Sequence, residues 1–348
     1  MVARNELDEA GEQLLYEGLR RYWHPVMFAD ELTGLPQAVT LLGERVVVVR
    51  LGGGVSAFRD LCVHRGSALS VGKVVDGDQL VCGYHGWRYN KDGICISIPA
   101  RPGASIPSKA RVQRYDAAEH VGLIWVCLDG PPELPLPQYP EFADTAYHTI
   151  KIPTYDWRCG AARRVENFVD VAHLPFIHEG ILGDPRKPEV PNYQVTRTDA
   201  ALCFAAGLEQ QPGNPFKLDG ADSATLIPRE PINYMIQMPF TVHLGQPLPD
   251  GKHYVLFMVA SPVSPRMTRS FSFGSRNYDR DLGRDDEFVE YQRVILEQDR
   301  VVVETQRPEE LPVDLAAELH VGSVDRASVE YRRWLAEIAR SAGQALQV

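Results

Sequence analysis

The chain has 348 residues, 44% of them apolar and 24% charged, enough for two hydrophobic cores and ordinary for a globular protein. Its net charge of −10 excludes nucleic acid as the natural partner, because phosphate binding relies on clustered Lys and Arg. No apolar run approaches a membrane span, and the polar, acidic stretch Met1 to Glu9 lacks the apolar core of a signal peptide, so a cytoplasmic protein without membrane association is expected.

Residues 8–22 place Leu15, Leu19 and Tyr22 at helical spacing and predict a short amphipathic helix. It should end before Trp23-His24-Pro25, since the residue preceding Pro is pushed out of the helical region. From Gln37 to Leu128 the text is β-like: residues 38–42, 45–50, 55–58, 79–82 and 122–128 are β-branched or aromatic runs, with breaks at Gly52-Gly53-Gly54 and Asp76-Gly77-Asp78. Residues 130–140 then hold five prolines in eleven positions, a stiff connector. The expected organisation is an N-terminal helix (1–22), an all-β domain (23–130), a Pro-rich linker (131–142) and a mixed domain (143–348). In the last, the pattern predicts a helix over 162–174, strands within about 192–275, a long helix from about 284 to 305, and a final helix from about 325 to 341. Ala327, Tyr331, Trp334, Leu335, Ile338 and Ala342 form one stripe of that final helix, as core packing requires. Phe204, Phe216, Tyr234, Met235, Met238, Phe240 and His243 fall on or near strands, where they suit a pocket and an ordinary core equally well.

Two Cys/His pairs stand out, Cys62-Val-His64 and Cys82-Gly-Tyr-His85, separated by seventeen residues. Each sits at a strand end with turn residues beside it, so two loop tips can close one four-ligand site. Zinc is one candidate, although zinc frameworks more often keep both Cys in one knuckle and both His in another. One Cys and one His per loop suits a two-iron, two-sulfur cluster with two thiolates on one iron and two imidazoles on the other. The remaining cysteines, Cys95, Cys127, Cys159 and Cys203, lie in apolar contexts and read as reduced core residues. Residues 23–129 hold eleven Lys/Arg against ten Asp/Glu, about +1, leaving about −11 elsewhere. Arg65, Lys73, Arg88 and Lys91 around the loops fit a solvated surface or the docking face of an acidic electron donor.

A second constellation follows the linker. Asn167, Asp170 and His173 recur at three-residue intervals, close to one face of the expected helix. Pro175 should disrupt the next turn and let His178 approach His173 from another direction. A third ligand must come from elsewhere. On the long helix Phe288, Tyr291, Ile295 and Val302 form an apolar stripe that includes Asp299, and a buried carboxylate needs a partner, either a metal or an Arg. Glu297 and Glu304 are alternatives; Glu179 is tied to the same turn as His178.

The loops Cys62-Val-His-Arg-Gly-Ser67 and Cys82-Gly-Tyr-His-Gly-Trp87 resemble the cluster loops of Rieske-type non-haem iron oxygenases. Respiratory Rieske proteins carry an extra, disulfide-forming Cys in each loop, where this chain has Ser67 and Tyr84. Asn167, Asp170, His173 and His178 match the family's Asn-x-x-Asp-x-x-His-x4-His segment, and the context from Glu297 to Glu304 resembles its distal Asp segment. Trp23-His24-Pro25-Val26 and the stretch Asp325 to Trp334 also resemble the phthalate, vanillate and dicamba type of terminal oxygenase, so the resemblance spans nearly the whole chain with no departure at a ligand position. It implies an α+β protein: a Rieske β-sandwich domain, then a catalytic domain with an antiparallel sheet wrapped over helices. It implies a 2Fe–2S cluster on Cys62, His64, Cys82 and His85, Fe(II) on His173, His178 and Asp299, and electrons from NAD(P)H through a reductase or ferredoxin. The family further implies a head-to-tail homotrimer in which His85 of one subunit bonds Asp170 of the next and Asp170 bridges the two sites, with Asp170 and Asn167 as the candidate catalytic residues. The implied reaction is monooxygenation of a small aromatic or heterocyclic substrate by O2, as hydroxylation or O- or N-demethylation. Cis-dihydroxylation and a pure Rieske electron carrier are the alternatives.

Overall fold

The computed structural model describes residues 6–212 and 226–345, so Phe216 lies outside the described residues. Two compact units are present: Arg20–Leu136 with Ser261–Ser264, and a second formed by the segment up to Leu19, Pro137–Ala260 and the chain from Pro265.

The first unit is built of β1 (His24–Phe28), β2 (Gln37–Leu41), β3 (Glu44–Leu51), β4 (Gly54–Arg59), β5 (Lys73–Val75), β6 (Gln79–Val81), β7 (Arg88–Tyr89), β8 (Cys95–Ser97), β9 (Arg114–His120) and β10 (Leu123–Cys127). They form a six-stranded sheet in the order β1-β10-β9-β4-β3-β2 and a four-stranded sheet β5-β6-β7-β8. The run Val46-Val47-Val48-Val49 does not alternate with polar residues because β3 is buried on both faces. Val47 and Val49 join a core with Phe58, Leu69, Leu80 and Tyr89, while Val46 and Val48 join another with Leu41, Tyr115 and Ile124. The first of these cores also contains Cys62 and Cys82, so it underlies the two Cys/His loops. Strands β5, β7 and β8 escape sequence reading because they are only two or three residues long, β9 because Arg114-Tyr-Asp-Ala-Ala-Glu-His120 is largely polar, and β1, five buried residues, because Pro25 reads as a break.

The second unit contains α1 (Glu6–Leu19), β11 (His148–Trp157), α2 (Ala161–Val169), α3 (Leu174–Ile177), β12 (Val195–Arg197), β13 (Ala201–Ala206), β14 (Gln210–Pro212), β15 (Leu226–Pro228), β16 (Ile232–Gln237), β17 (Thr241–Pro247), β18 (His253–Ser264), β19 (Met267–Arg276), α4 (Asp285–Val303) and α5 (Arg326–Ala345). Seven strands pair in the order β11-β19-β18-β17-β16-β13-β12, and α2 and α4 pack against this sheet and each other. The fold is α+β, as the sequence implies. The edge strand β11 was not foreseen; its register with β19 shifts between Ile152 and Tyr155, where Pro153 has no N–H to give the ladder. Helix α1 packs on α5 from the far end of the chain. Gly18 permits the approach, since a Cβ there would lie 2.8 Å from the Ile338 side chain. Helix α1 stops at Leu19 rather than 22, and on α4 the buried stripe continues through Val303, with Val302 exposed.

Candidate metal centres

The two cluster loops repeat one backbone design. In the first, Cys62 N–H donates to Ser67 O (2.8 Å) and Gly66 N–H to Cys62 O (2.8 Å); in the second, Cys82 N–H donates to Trp87 O (2.9 Å) and Gly86 N–H to Cys82 O (3.0 Å). Gly66 and Gly86 close these turns at φ of 68° and 70°, left-handed backbone that favours glycine. Cys62 and Cys82 are 3% and 2% exposed, whereas His64 and His85 stand at the surface with ring centroids 4.5 Å apart. The sulfur side of the site is thus inside and the imidazole side outside. Trp87 stacks on His64 at 4.6 Å, and the buried Tyr89 hydroxyl lies 3.0 Å from Cys62 Sγ. Burial pushes the Cys62 thiol up against the pull of that hydroxyl, and desolvation, with His85 and Arg65 beside it, lowers His64.

These donors do not suit a single zinc ion. One tetrahedral ion draws its four donor atoms to within about 4 Å of one another. Among the described residues, the three-donor group whose atoms all lie within 4.8 Å of one another is His173, His178 and Asp299, not a set from the loops. Two inward thiols and two outward imidazoles fit a two-iron cluster.

The second centre forms where helix α2 ends. The helix stops at Val169, and Asp170 is its C-cap, with extended φ −77° and ψ 134°. This corrects two expectations from the sequence: Asp170 and His173 do not continue a helix face, and Pro175 breaks nothing. Pro175 instead occupies the first turn of the short helix α3, where its missing N–H has no partner to lose. Asp170 organises the reversal: its carboxylate accepts from Ala172 N–H (3.0 Å) and His173 N–H (3.3 Å), and pairs with His173 Nδ1 (3.0 Å). His173 and His178 cap the two ends of α3, so their rings converge to 5.2 Å. On an unbroken helix, side chains five apart point roughly 140° away from each other.

Helix α4 brings in Asp299, which is 6% exposed, with Oδ1 3.1 Å from His178 Nε2 and 3.4 Å from His173 Nε2. Asn167 Nδ2 donates to the same oxygen at 3.2 Å, and no Arg pairs with Asp299 among the described residues. The alternatives lie outside the group: Glu297 is exposed and paired with Arg300, Glu304 accepts from Arg158 N–H and Arg300, and Glu179 is exposed. Burial alone pulls His173 down, but hydrogen bonds to Asp170 and Asp299 prevail and raise it to about 9. Burial likewise opposes Asp299, yet the two imidazoles hold its carboxyl well below the usual range. Each histidine has its Nδ1 engaged, His173 by Asp170 and His178 by Gln298 Oε1 (2.9 Å), which leaves both Nε2 atoms facing Asp299. Two imidazoles and one carboxylate held in this way fit a ferrous ion with open positions.

Two cavities meet at this group, and both are bordered by Asn167, Asp170, His173 and Asp299. One is charged, with Glu166, Glu318, Asp325 and Arg332 in its wall. The other is largely apolar and lies between the helices and one face of the sheet. Tyr234, Leu244 and Leu256 form a cross-strand row along that face, and Phe168, Ile295 and Leu296 close it from the helix side. The amides of Gln246 and Gln292 are polar points in this wall. Of the aromatic and Met residues with strand-like spacing, Tyr234 lines the cavity and Phe204 stacks behind it at 4.8 Å. His243 instead bonds Glu141 (2.9 Å). Sequence reading missed Tyr89, Gln298, Gln246 and Gln292. Gln292 could have been found, since a polar residue on a buried stripe, seven positions before Asp299, is the signal that singled out Asp299.

The chain is similar to known proteins along nearly its whole length. Residues 22–116 match the Rieske [2Fe-2S] domain, and residues 157–341 match the vanillate O-demethylase oxygenase C-terminal domain. The methylxanthine N1-demethylase NdmA of Pseudomonas putida is 34% identical over 92% of this chain and 90% of its own length. The methylxanthine N3-demethylase NdmB of the same organism is 34% identical over 93% and 90%. The solved structure of Pseudomonas putida NdmA with caffeine superposes with a TM-score of 0.83 at 33% identity, covering 94% of this chain and 96% of that one.

Proposed function

The chain belongs to the Rieske non-haem iron oxygenases, and from that premise we propose that it removes a methyl group from nitrogen of a small heterocycle by oxidative demethylation. The observation that carries this reading is the apolar cavity ending at His173, His178 and Asp299, together with similarity to N-demethylases along almost the whole chain. The reaction balances as one O2, two electrons and two protons converting an N–CH3 group to N–CH2OH and water. The hemiaminal then expels formaldehyde and leaves N–H.

Cys62, His64, Cys82 and His85 would hold the cluster, which would supply a relay for electrons from NAD(P)H through a reductase or ferredoxin, and His173, His178 and Asp299 would hold the ferrous ion, which would supply O2 activation. The chain's own residues do the rest. Asp170 and Gln298 hold the two imidazoles so that their Nε2 lone pairs converge. Phe168, Leu244, Leu256 and Ile295 offer a planar ring an apolar slot that excludes water. Gln246 and Gln292 can pair with ring carbonyl or N–H groups, which distinguishes a heterocycle from a plain arene. Labelled O2 supplied with N-methyl heterocycles should leave one labelled atom in the formaldehyde, trapped before it exchanges with solvent, and the other in water. A cis-diol carrying both labelled atoms would replace this reading with dihydroxylation.

The working protein is a cytoplasmic homotrimer in which His85 of one subunit bonds Asp170 of the next. The exposed apolar side chains Phe176, Val302 and Leu319 in the segments around Asp170 and the charged cavity, and Val63 and Tyr84 on the cluster loops, support burial of both sites against a second copy. Asp170→Asn should keep both metals but lower turnover by at least about a hundredfold. A fully active monomer at assay concentration rules this assembly out.

A further inference from the structure

Arg164 is a fully buried guanidinium, 0% exposed, with no carboxylate paired to it among the described residues. Its neighbour Arg163 shows the ordinary solution, a pair with Glu318 and a bond to Pro308 O. Arg164 instead lies over the rings of Trp157 (4.5 Å) and Phe168 (5.0 Å), and donates from Nε and Nη2 to the Tyr155 hydroxyl (3.2 and 2.8 Å). Its remaining bond runs from Nη1 to Asn167 Oδ1 at 2.9 Å. Isolated buried charge is costly. Aromatic faces offset part of that cost, and the Asn167 contact shows what the charge does.

A guanidinium can only donate, and an ionised carboxylate can only accept. Asn167 lies between one of each, so its amide has a single satisfied orientation: Oδ1 toward Arg164 and Nδ2 toward Asp299 Oδ1 (3.2 Å). That Asp299 oxygen is the one facing both imidazole Nε2 atoms. Without Arg164 only Asp299 still selects the orientation of the amide, and its carbonyl oxygen can turn toward the same space as a competing metal ligand.

We propose that Arg164 is a positioning residue for the mononuclear iron: it locks the Asn167 amide as a donor and thereby fixes the metal-facing oxygen of Asp299. This rests on the reading of His173, His178 and Asp299 as the iron ligands. It acts at second remove, through Asn167, and so predicts a particular form of non-additivity.

The test is a double-mutant cycle on the full-length, cluster-loaded protein, reading the ferrous ion dissociation constant anaerobically with no turnover involved. Arg164→Met, which keeps the length between the aromatic rings, and Asn167→Ala should each weaken binding about tenfold. The double variant should be no weaker than Asn167→Ala alone. The nitric oxide adduct of the ferrous site should also change its electron paramagnetic resonance line shape in Arg164→Met, a signature that general loosening of the fold does not give. Losses that multiply to about a hundredfold, or an unchanged constant in folded Arg164→Met, overturn the proposal. Tighter binding in Arg164→Met does so as well, because it would mean that the bare positive charge repelling the ion outweighs positioning. Should Arg164→Met not fold, Tyr155→Phe takes its place, with a smaller loss expected that vanishes in the Asn167→Ala background; an unchanged constant counts against the proposal. If the wild type binds no ferrous ion beyond the cluster irons, the reading of the triad fails and this inference with it. A normal wild-type constant with a flat cycle sinks Arg164 alone.

Discussion

The two metal regions are held by different means. In the first unit all four candidate ligands lie between positions 62 and 85, and main-chain hydrogen bonds of matching pattern shape both loops. In the second, His178 and its orienting partner Gln298 are 120 positions apart, and the group is assembled almost entirely by side-chain contacts across α2, α3 and α4. A site made of local backbone turns depends on turn residues. A site made of distant side chains depends on the packing of the whole unit, and its ligands carry stronger mutual electrostatic effects because they are buried together.

The largest expected effect separates the two regions outright. Asp299→Ala should remove about one iron per chain and lower turnover by a factor on the order of a thousand or more, leaving the visible absorption of the cluster intact. Cys62→Ser should bleach that absorption and leave the mononuclear iron. Metal analysis beside the visible spectrum checks both, and joint loss of the two metals in either variant would break the comparison.

Protons sharpen it. His173 is raised from 6.5 to about 9, so in iron-stripped protein its contribution to stability is full below pH 6.5 and is lost as pH rises through about 9. Iron must displace that proton, so ferrous affinity should increase roughly tenfold per pH unit across this interval and level off above it, while the stripped protein loses thermal stability. His64 is shifted the other way, by desolvation and by His85 and Arg65 beside it, so its imidazole contributes no comparable slope above pH 6.5. Calorimetric titrations at three pH values across the window test this; a flat affinity contradicts it.

The smallest effect concerns Tyr89. Its hydroxyl, 3.0 Å from Cys62 Sγ, favours the more negative, reduced cluster. Tyr89→Phe should lower the cluster potential by on the order of 50 mV, the equivalent of one hydrogen bond of about 1 kcal/mol. Ferrous affinity at the other site should not move. Protein-film voltammetry decides it, and an unchanged or higher potential would remove Tyr89 from any tuning role.

By itself the sequence determined the chemistry of both regions, because donor identity and short spacing are written locally. One Cys and one His per loop, each followed by Gly66 or Gly86, define a repeated turn that needs little else. Asp299 was legible for a related reason, as a carboxylate on an otherwise buried helical stripe. What only the tertiary structure decided is where side chains point once the chain reverses. The sequence placed the helix break at Pro175, whereas the structure puts it at Asp170, because a carboxylate able to cap two N–H groups can end one helix and set the entry to the next. Periodicity also could not reveal that Arg164 and Asn167 share one orientation with Asp299, or that Gln246 and Gln292 face the same cavity from sheet and helix. Such pairings depend on which elements pack together across long stretches of chain, and a period within one element carries no information about its neighbour.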